Sequence, residues 1–312
     1  MQTIITLTLN PAIDVSTSVE RVEPAVKLRC GESRRDPGGG GINVARVIRR
    51  LGGEALAIFP AGGVTGELLV ALLAAEGVPT LAVPIAGDTR EDMTVTERAT
   101  GLEYRFVLQG PQLSWTEWRG CLDATVQPGD GQGFIVASGS LPPGVPDDFL
   151  VRLASVARTA GERVVLDTSG PALKAALRQG VYLIKPNLRE LEDLTGETLD
   201  TDARRLAAAR RLIADGAAEV IALTLGDQGA ILVTADQAWR APALDITPVS
   251  SVGAGDSFLG GMVHALASGQ SLEDSFRMGL AAGSAALASP GTDLCQAEAV
   301  LALLPKVALQ PL

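Results

Sequence analysis

Short apolar runs rich in β-branched residues alternate along the chain with longer stretches whose apolar positions recur every third or fourth residue. Residues 3–9, 55–59, 134–137, 163–166, 181–184 and 220–225 have the first pattern and are predicted strands. The helical period is clearest after the first glycine run. There Val44, Val47, Ile48 and Leu51 fall at i, i+3, i+4 and i+7, Arg46, Arg49 and Arg50 point elsewhere, and Gly52-Gly53 supplies the stop. Further helices are predicted over 65–76, 202–215 and 256–268. The last is so rich in Ala, Gly and Leu that it should be buried on most sides. Strands alternating with amphipathic helices predict an α/β fold, a mostly parallel central sheet flanked by helices in three layers.

Two segments break this rhythm, 13–35 and 91–108. The second alternates as Met93-Thr94-Val95-Thr96-Glu97 and, after Ala99-Thr100-Gly101, as Leu102-Glu103-Tyr104-Arg105-Phe106-Val107, which predicts a hairpin outside the main sheet. A small sheet with one apolar face cannot stay exposed to water. It is expected to form a lid that covers a cleft and also pairs with a second copy, giving a homodimer. No repeat or Pro/Ser-rich linker divides the chain, so residues 1–312 are expected to form one domain carrying this lid.

Composition narrows the chemistry. With 312 residues, 46% of them hydrophobic, the chain can bury a large core, and its net charge of -10 argues against nucleic acid or an anionic membrane as partner. Cys30, Cys121 and Cys295 are far apart and form no CxxC pair, so a disulfide framework or zinc site is not indicated. The N-terminal residues lack a basic n-region and no apolar run reaches about 18 residues. A soluble, cytoplasmic protein is expected. The single histidine, His264, lies in an apolar helical stretch and reads as structural, so acid and base work falls to carboxylates.

Asp256 is the candidate base. It ends the small-residue turn Val252-Gly253-Ala254-Gly255 and begins an apolar helix, where glycine amides and the helix N-terminus favour negative charge. An acid there should stay ionised near neutral pH and take a proton from a substrate hydroxyl while Gly253, Ala254 and Gly255 hold a moving phosphoryl group. An ordinary helix cap is the alternative. Pro37-Gly38-Gly39-Gly40-Gly41-Ile42-Asn43 lets bare backbone approach a ligand, with the Asn43 amide placed for hydroxyls. No Gly-Lys pair occurs, so the Walker pattern is absent. Lys27, Arg29, Arg34, Arg35, Arg90, Arg98 and Arg105 cluster in the two irregular segments, as a phosphate pocket or as solvated lid charges. Asn187 and Glu190 lie one turn apart after a strand, suited to phosphate and hydrated magnesium or to a capping box. Residues 225–230 read as a hairpin turn or as a glycine platform under a nucleotide.

Taken in order, Asn10-Pro11-Ala12-Ile13-Asp14, the 38–43 run, Ser138-Gly139-Ser140-Leu141-Pro142-Pro143-Gly144, Lys185 to Glu190, Thr224 to Gly229 and Gly253-Ala254-Gly255-Asp256 resemble the ribokinase-like sugar kinases, the phosphofructokinase B family. Within it, Lys27-Leu28-Arg29-Cys30, the four glycines, Phe59-Pro60-Ala61-Gly62-Gly63 and Gly291-Thr292 with Cys295 look most like the minor bacterial type of ATP-dependent 6-phosphofructokinase. Related 1-phosphofructokinases and tagatose-6-phosphate kinases typically carry lysine where Gly40 stands. The resemblance implies transfer from MgATP to the C1 hydroxyl of fructose 6-phosphate. Asp256 would be the base, Asp14, Gly39 and Asn43 would hold sugar hydroxyls, and Lys27, Arg90, Arg105 and Ser140 the existing phosphate, Arg90 reaching in from a partner subunit. Lys185, Asn187, Thr224, Gly226 and Gly229 would line the ATP site, and Glu190 would orient Mg2+ through water. A potassium ion near the backbone of Val252, Ala286 and Gly291 is also implied, although Asp293 departs from the basic residue expected there. Tagatose-6-phosphate or fructose-1-phosphate kinase activity, and a non-catalytic sugar-phosphate or nucleotide sensor, are the alternatives. A dinucleotide oxidoreductase lacks its glycine fingerprint after the first strand, where Asn10-Pro11 stands.

Overall fold

The computed structural model describes residues 1–126, 132–289 and 293–312. Among these residues, the six predicted strands join four unpredicted ones in a sheet of ten. With strands numbered along the chain, its parallel part comprises β1 (Ile4–Leu7), β4 (Leu56–Ala61), β5 (Thr80–Pro84), β8 (Phe134–Ser138), β9 (Arg163–Asp167), β10 (Val181–Ile184) and β11 (Ala218–Thr224). Antiparallel β12 (Ala230–Val233), β13 (Ala238–Ala241) and β14 (Gln310–Pro311) finish one edge. The order is β5-β4-β1-β8-β9-β10-β11-β12-β13-β14. Chain progression reverses at β1, with β4 on one side and β8 on the other. Such a switch point opens a crevice at the carboxyl ends of the strands.

Alternating side chains feed two cores, one on each face. Ile4, Phe134 and Val136 face α1 (Gly40–Arg50), α2 (Gly63–Ala75), α8 (Ala254–Ala267), α9 (Leu272–Leu287) and α10 (Ala297–Leu303). Ile5, Leu7 and Ile135 face α3 (Trp115–Ala124), α4 (Phe149–Ala160), α5 (Gly170–Ala176), α6 (Leu188–Thr195) and α7 (Asp202–Ala214). Both faces are apolar because both are covered, as a parallel sheet requires. α8 is indeed buried on most sides, and it packs on α9 through an edge-to-face pair of Phe258 and Phe276. One expectation fails in α1: Arg46, read as off the apolar stripe, is fully buried.

The two irregular segments supply a separate sheet, ordered β3-β2-β6-β7 from β2 (Ala12–Val19), β3 (Arg34–Gly38), β6 (Arg90–Glu97) and β7 (Glu103–Phe106). The expected hairpin is β6–β7, with Met93 opposite Phe106 and Val95 opposite Tyr104. Register and the two-residue period put Asp36, Asp14, Asp92 and Arg105 on one face and Val15, Val95, Met93 and Phe106 on the other. Val15 and Val95 are buried, whereas Met93 and Phe106 are 45% and 53% exposed.

Candidate active site

The chain brings its chemistry to the carboxyl ends of the central strands and to the N-termini of α1 and α8. Gly253 starts α8 in the left-handed region at φ 74°, and a Cβ there would lie 2.6 Å from Leu294 Cδ2, so only glycine makes this turn without displacement. The first bond into the helix runs from Ser257 N–H to the Gly253 carbonyl at 2.8 Å. Among the described residues, the amides of Gly253, Ala254, Gly255 and Asp256 donate to no protein acceptor. Four free N–H groups at the positive end of a helix make a site for an anion.

Asp256 lies in this first helical turn, half-buried, and Asn43 Nδ2 donates to its Oδ2 at 2.8 Å. Lys185, just beyond β10 and buried, pairs with Asp167 Oδ1 at 3.0 Å, while Ser138 Oγ donates to Asp167 Oδ2 at 3.3 Å. A Cβ on Gly255 would lie 3.4 Å from Lys185 Nζ, so the ammonium stands against the glycine turn. Burial, then the charge of Asp167, pushes the Asp256 carboxyl up to about 6, against the Asn43 hydrogen bond, Lys185 and Arg105. At neutral pH roughly nine molecules in ten still carry the charge, a narrower margin than an exposed aspartate has. Burial opposes the charge on Lys185, but Asp167 outweighs it, and the ammonium is held above the usual lysine range.

Asp14 sits opposite Asp36 and Asp92 in the small sheet. Burial and Asp92 raise it to about 6, and Arg105, Arg46 and Arg90 act in the other direction. Arg105 is exposed on β7 and acts on both Asp14 and Asp256, so it faces the space between them. Arg90 is anchored within its own chain, by Asp92 at 3.2 Å and the carbonyls of Leu108 and Asn10 at 2.8 and 3.1 Å; its buried Nε has no partner among the described residues. Asn10 also holds Ser140 Oγ at 3.0 Å. Lys27 lies in the exposed connection between β2 and β3, and it is not among the charges that act on Asp14.

The glycine run serves packing first. Cβ atoms at Gly39, Gly40 and Gly41 would lie 2.6, 2.2 and 2.6 Å from Thr8 Cγ2, Ser138 Oγ and Thr8 Oγ1, so α1 enters directly against β1 and β8. Gly39 and Gly40 still keep part of their surface open. Asn187 and Glu190 form a complete capping box on α6, with Glu190 Oε2 accepting from Asn187 N–H at 2.8 Å and Asn187 Oδ1 from Glu190 N–H at 2.9 Å. Glu190 also lines a cavity of about 410 Å³ with Asp167, Gly139, Ser140, Thr168 and Ser169. Thr224 bridges to Asn187, and residues 226–229 form the hairpin turn between β11 and β12, Gly226 exposed and Gly229 buried against the Ala241 carbonyl. Val252 follows a segment tied to the α9 C-terminus by Val249 N–H at the Leu287 carbonyl, 2.7 Å. The Ala286 carbonyl accepts Ser289 N–H at 3.0 Å, Asp293 pairs with Arg50 at 3.0 Å, and Gly291 lies outside the described residues. Sequence reasoning missed Asp167 and Arg46. The first had a signal, an acid closing the apolar run Val164-Val165-Leu166 where a parallel strand meets the crevice.

A carboxylate at a free helix N-terminus, a lysine beside it and a carboxylate-lined cavity next to both are the groups that phosphoryl-transfer chemistry calls for. Residues 4–299 match the family described as pfkB family carbohydrate kinase. The chain belongs to this family. Kinases of this class are phosphotransferases that act on an alcohol group. The chain is 49% identical over 297 residues to the ATP-dependent 6-phosphofructokinase isozyme 2 of Mycobacterium tuberculosis, covering 95% of this chain and 87% of the relative. Phosphofructokinase-2 from Escherichia coli, solved in complex with potassium, superposes with a TM-score of 0.95 at 42% identity, over 98% of this chain and 99% of that one. The same enzyme in complex with fructose-6-phosphate gives 0.92 at 41% identity, with the same coverage. No described helix of this pfkB kinase is long and apolar enough to cross a membrane.

Proposed function

We propose that the protein transfers the terminal phosphoryl group of ATP to the C1 hydroxyl of fructose 6-phosphate, giving fructose 1,6-bisphosphate and ADP. The observation that carries this reading is Asp256, held by Asn43 at 2.8 Å beside free amides and the buried Lys185. Asp256 takes the hydroxyl proton as the oxygen attacks the terminal phosphorus, and the bond to the ADP oxygen breaks. The amides of Gly253, Ala254 and Gly255 with Lys185 meet the charge on the moving phosphoryl group. Asp14, Gly39 and Asn43 hold sugar hydroxyls. Ser140, Arg105, Lys27 and Arg90 take the phosphate that the sugar already carries, the exposed lysine on closure of the lid and Arg90 within its own chain or across a dimer. Asn187, Thr224, Gly226 and Gly229 border the nucleotide. Glycine at position 40, where related 1-phosphofructokinases and tagatose-6-phosphate kinases typically carry lysine, and the higher identity to 6-phosphofructokinases than to 1-phosphofructokinases support fructose 6-phosphate.

Asp167 and Glu190 offer hard carboxylate oxygens to one cavity, the donor chemistry that Mg2+ takes. Bound there with ATP, Mg2+ would draw charge from the phosphate oxygens. The C-terminal end of α9, where the Ala286 carbonyl lies and to which the segment before Val252 is tied, is a helix end that suits a cation, and the E. coli enzyme has been solved in complex with potassium. Exposed Met93, Phe106 and Leu108 support a homodimer through the lid. The net charge and three unpaired cysteines support a cytoplasmic location. A coupled assay comparing kcat/KM for fructose 6-phosphate, tagatose 6-phosphate and fructose 1-phosphate tests the substrate. Fructose 6-phosphate should lead. A lead by either other sugar reassigns the substrate, and binding without ADP release from any of them would make the protein a sensor.

A further inference from the structure

One fully buried charge next to this machinery acts on Asp14 and also touches Asn43. Arg46 is 1% exposed and lies one turn after Asn43 in α1. Its Nε donates to the Glu76 oxygens at 3.1 and 2.9 Å and its Nη2 to Glu76 Oε1 at 2.6 Å. The remaining nitrogen, Nη1, donates to the Pro37 carbonyl at 2.9 Å and to Asn43 Oδ1 at 3.3 Å. Glu76 stands at the C-terminal end of α2 and Pro37 in β3. One guanidinium therefore ties the small sheet, α2 and the residue that grips Asp256.

A guanidinium can only donate. Asn43 must turn its oxygen toward Arg46, which leaves its N–H groups facing Asp256. That orientation is kept whether Asp256 is ionised or has just accepted a proton, so the amide need not reorganise during turnover. Apolar side chains of similar volume often replace a buried ion pair at no loss of stability, so packing alone does not call for a charge here. The groups acting on Asp256 come from four directions: Asp167 from β9, Lys185 after β10, Arg105 from β7 and Asn43 from α1. Of these, Asn43 has its orientation fixed by a second buried charge.

We propose that Arg46 is a positioning residue for phosphoryl transfer, fixing the Asn43 amide and through it the Asp256 carboxylate. The proposal rests on Asp256 being the base. Arg46→Lys keeps the charge, but one ammonium cannot serve Glu76, Pro37 and Asn43 together. Its kcat should fall about 10- to 100-fold, as misplacement by a fraction of an ångström does, with the KM for ATP within about twofold of wild type. The acid limb of its kcat–pH profile should move to higher pH, because a loosened Asn43 bond favours the ionised carboxylate less. Glu76→Gln, which leaves Arg46 an acceptor oxygen, should shift both quantities less and in the same direction. It decides the matter if Arg46→Lys does not fold. An unmoved acid limb in the folded variant, whether kcat is retained or lost along with melting temperature, overturns the proposal. Asp256→Asn separates the two layers. Full turnover in that variant ends the base assignment, whereas its inactivity together with wild-type kcat in Arg46→Lys ends only the role of Arg46.

Discussion

The floor of the candidate site and the small sheet proposed as its lid are held by different means. On the floor, charged groups are answered within the chain: Lys185 by Asp167, Asp256 by Asn43, and Arg46 by Glu76. The lid carries three aspartates in one cross-strand row, an exposed Arg105, a remote Lys27 and uncovered Met93 and Phe106. Chemistry needs groups fixed before the substrate arrives, because reorganisation at the moment of reaction costs rate. Binding needs surfaces that gain partners on closure. The contrast is that of side chains fixed in advance and a surface still short of partners.

Breaking the floor should have the largest effect. Lys185→Met leaves Asp167 with Ser138 alone, and the loss of stability should reach about 3 kcal/mol, read by denaturant unfolding. With the ammonium gone and Asp167 still charged, the acid limb of kcat should also move to higher pH. In the lid, Asp14→Asn should act in the opposite sense on stability. The folded carboxyl titrates at about 6 against 3.8 for the ordinary side chain, because burial and Asp92 disfavour its charge. Stability from this group is therefore present in full below 3.8 and lost as pH rises through about 6. The variant should be more stable than wild type by up to about 3 kcal/mol at neutral pH, with the gain vanishing in acid, while its KM for the sugar phosphate rises. The smallest effect on the chain itself should follow Phe106→Glu. Stability of the isolated protomer should change by less than about 0.5 kcal/mol, while sedimentation velocity shows a dimer shifted to monomer. An unchanged sedimentation profile would remove the lid from the dimer interface.

Much of the floor was legible because its signals are local. β-branched runs mark strands buried on both faces, glycines at 52 and 253 mark helix ends, and the Asn187–Glu190 spacing marks a capping box that the structure contains. The lid hairpin was legible from alternation. What stayed hidden depends on partners distant in sequence. Arg46 falls off the apolar stripe of its helix, and only the arrival of Glu76, thirty residues on, makes its burial tolerable. The glycine run reads as a ligand loop, and nothing in its sequence tells that Thr8 and Ser138 would also collide with side chains there. Asp167 is one acid among many until the fold sets it against Lys185. Lys27 is the reverse case: its motif suggests the sugar phosphate, and its segment lies exposed between β2 and β3, apart from the charges that act on Asp14.

The central claim is that Asp256 acts as an ionised base held against free amides, and kcat as a function of pH for wild type and Asp256→Asn tests it most directly. Wild type should lose turnover as pH falls through about 6, the value to which burial and Asp167 push that carboxyl. Asp256→Asn should turn over about 10²- to 10⁴-fold more slowly, without that limb and with ATP affinity retained. Wild-type turnover in Asp256→Asn, or the same acid limb in both proteins, would contradict the account.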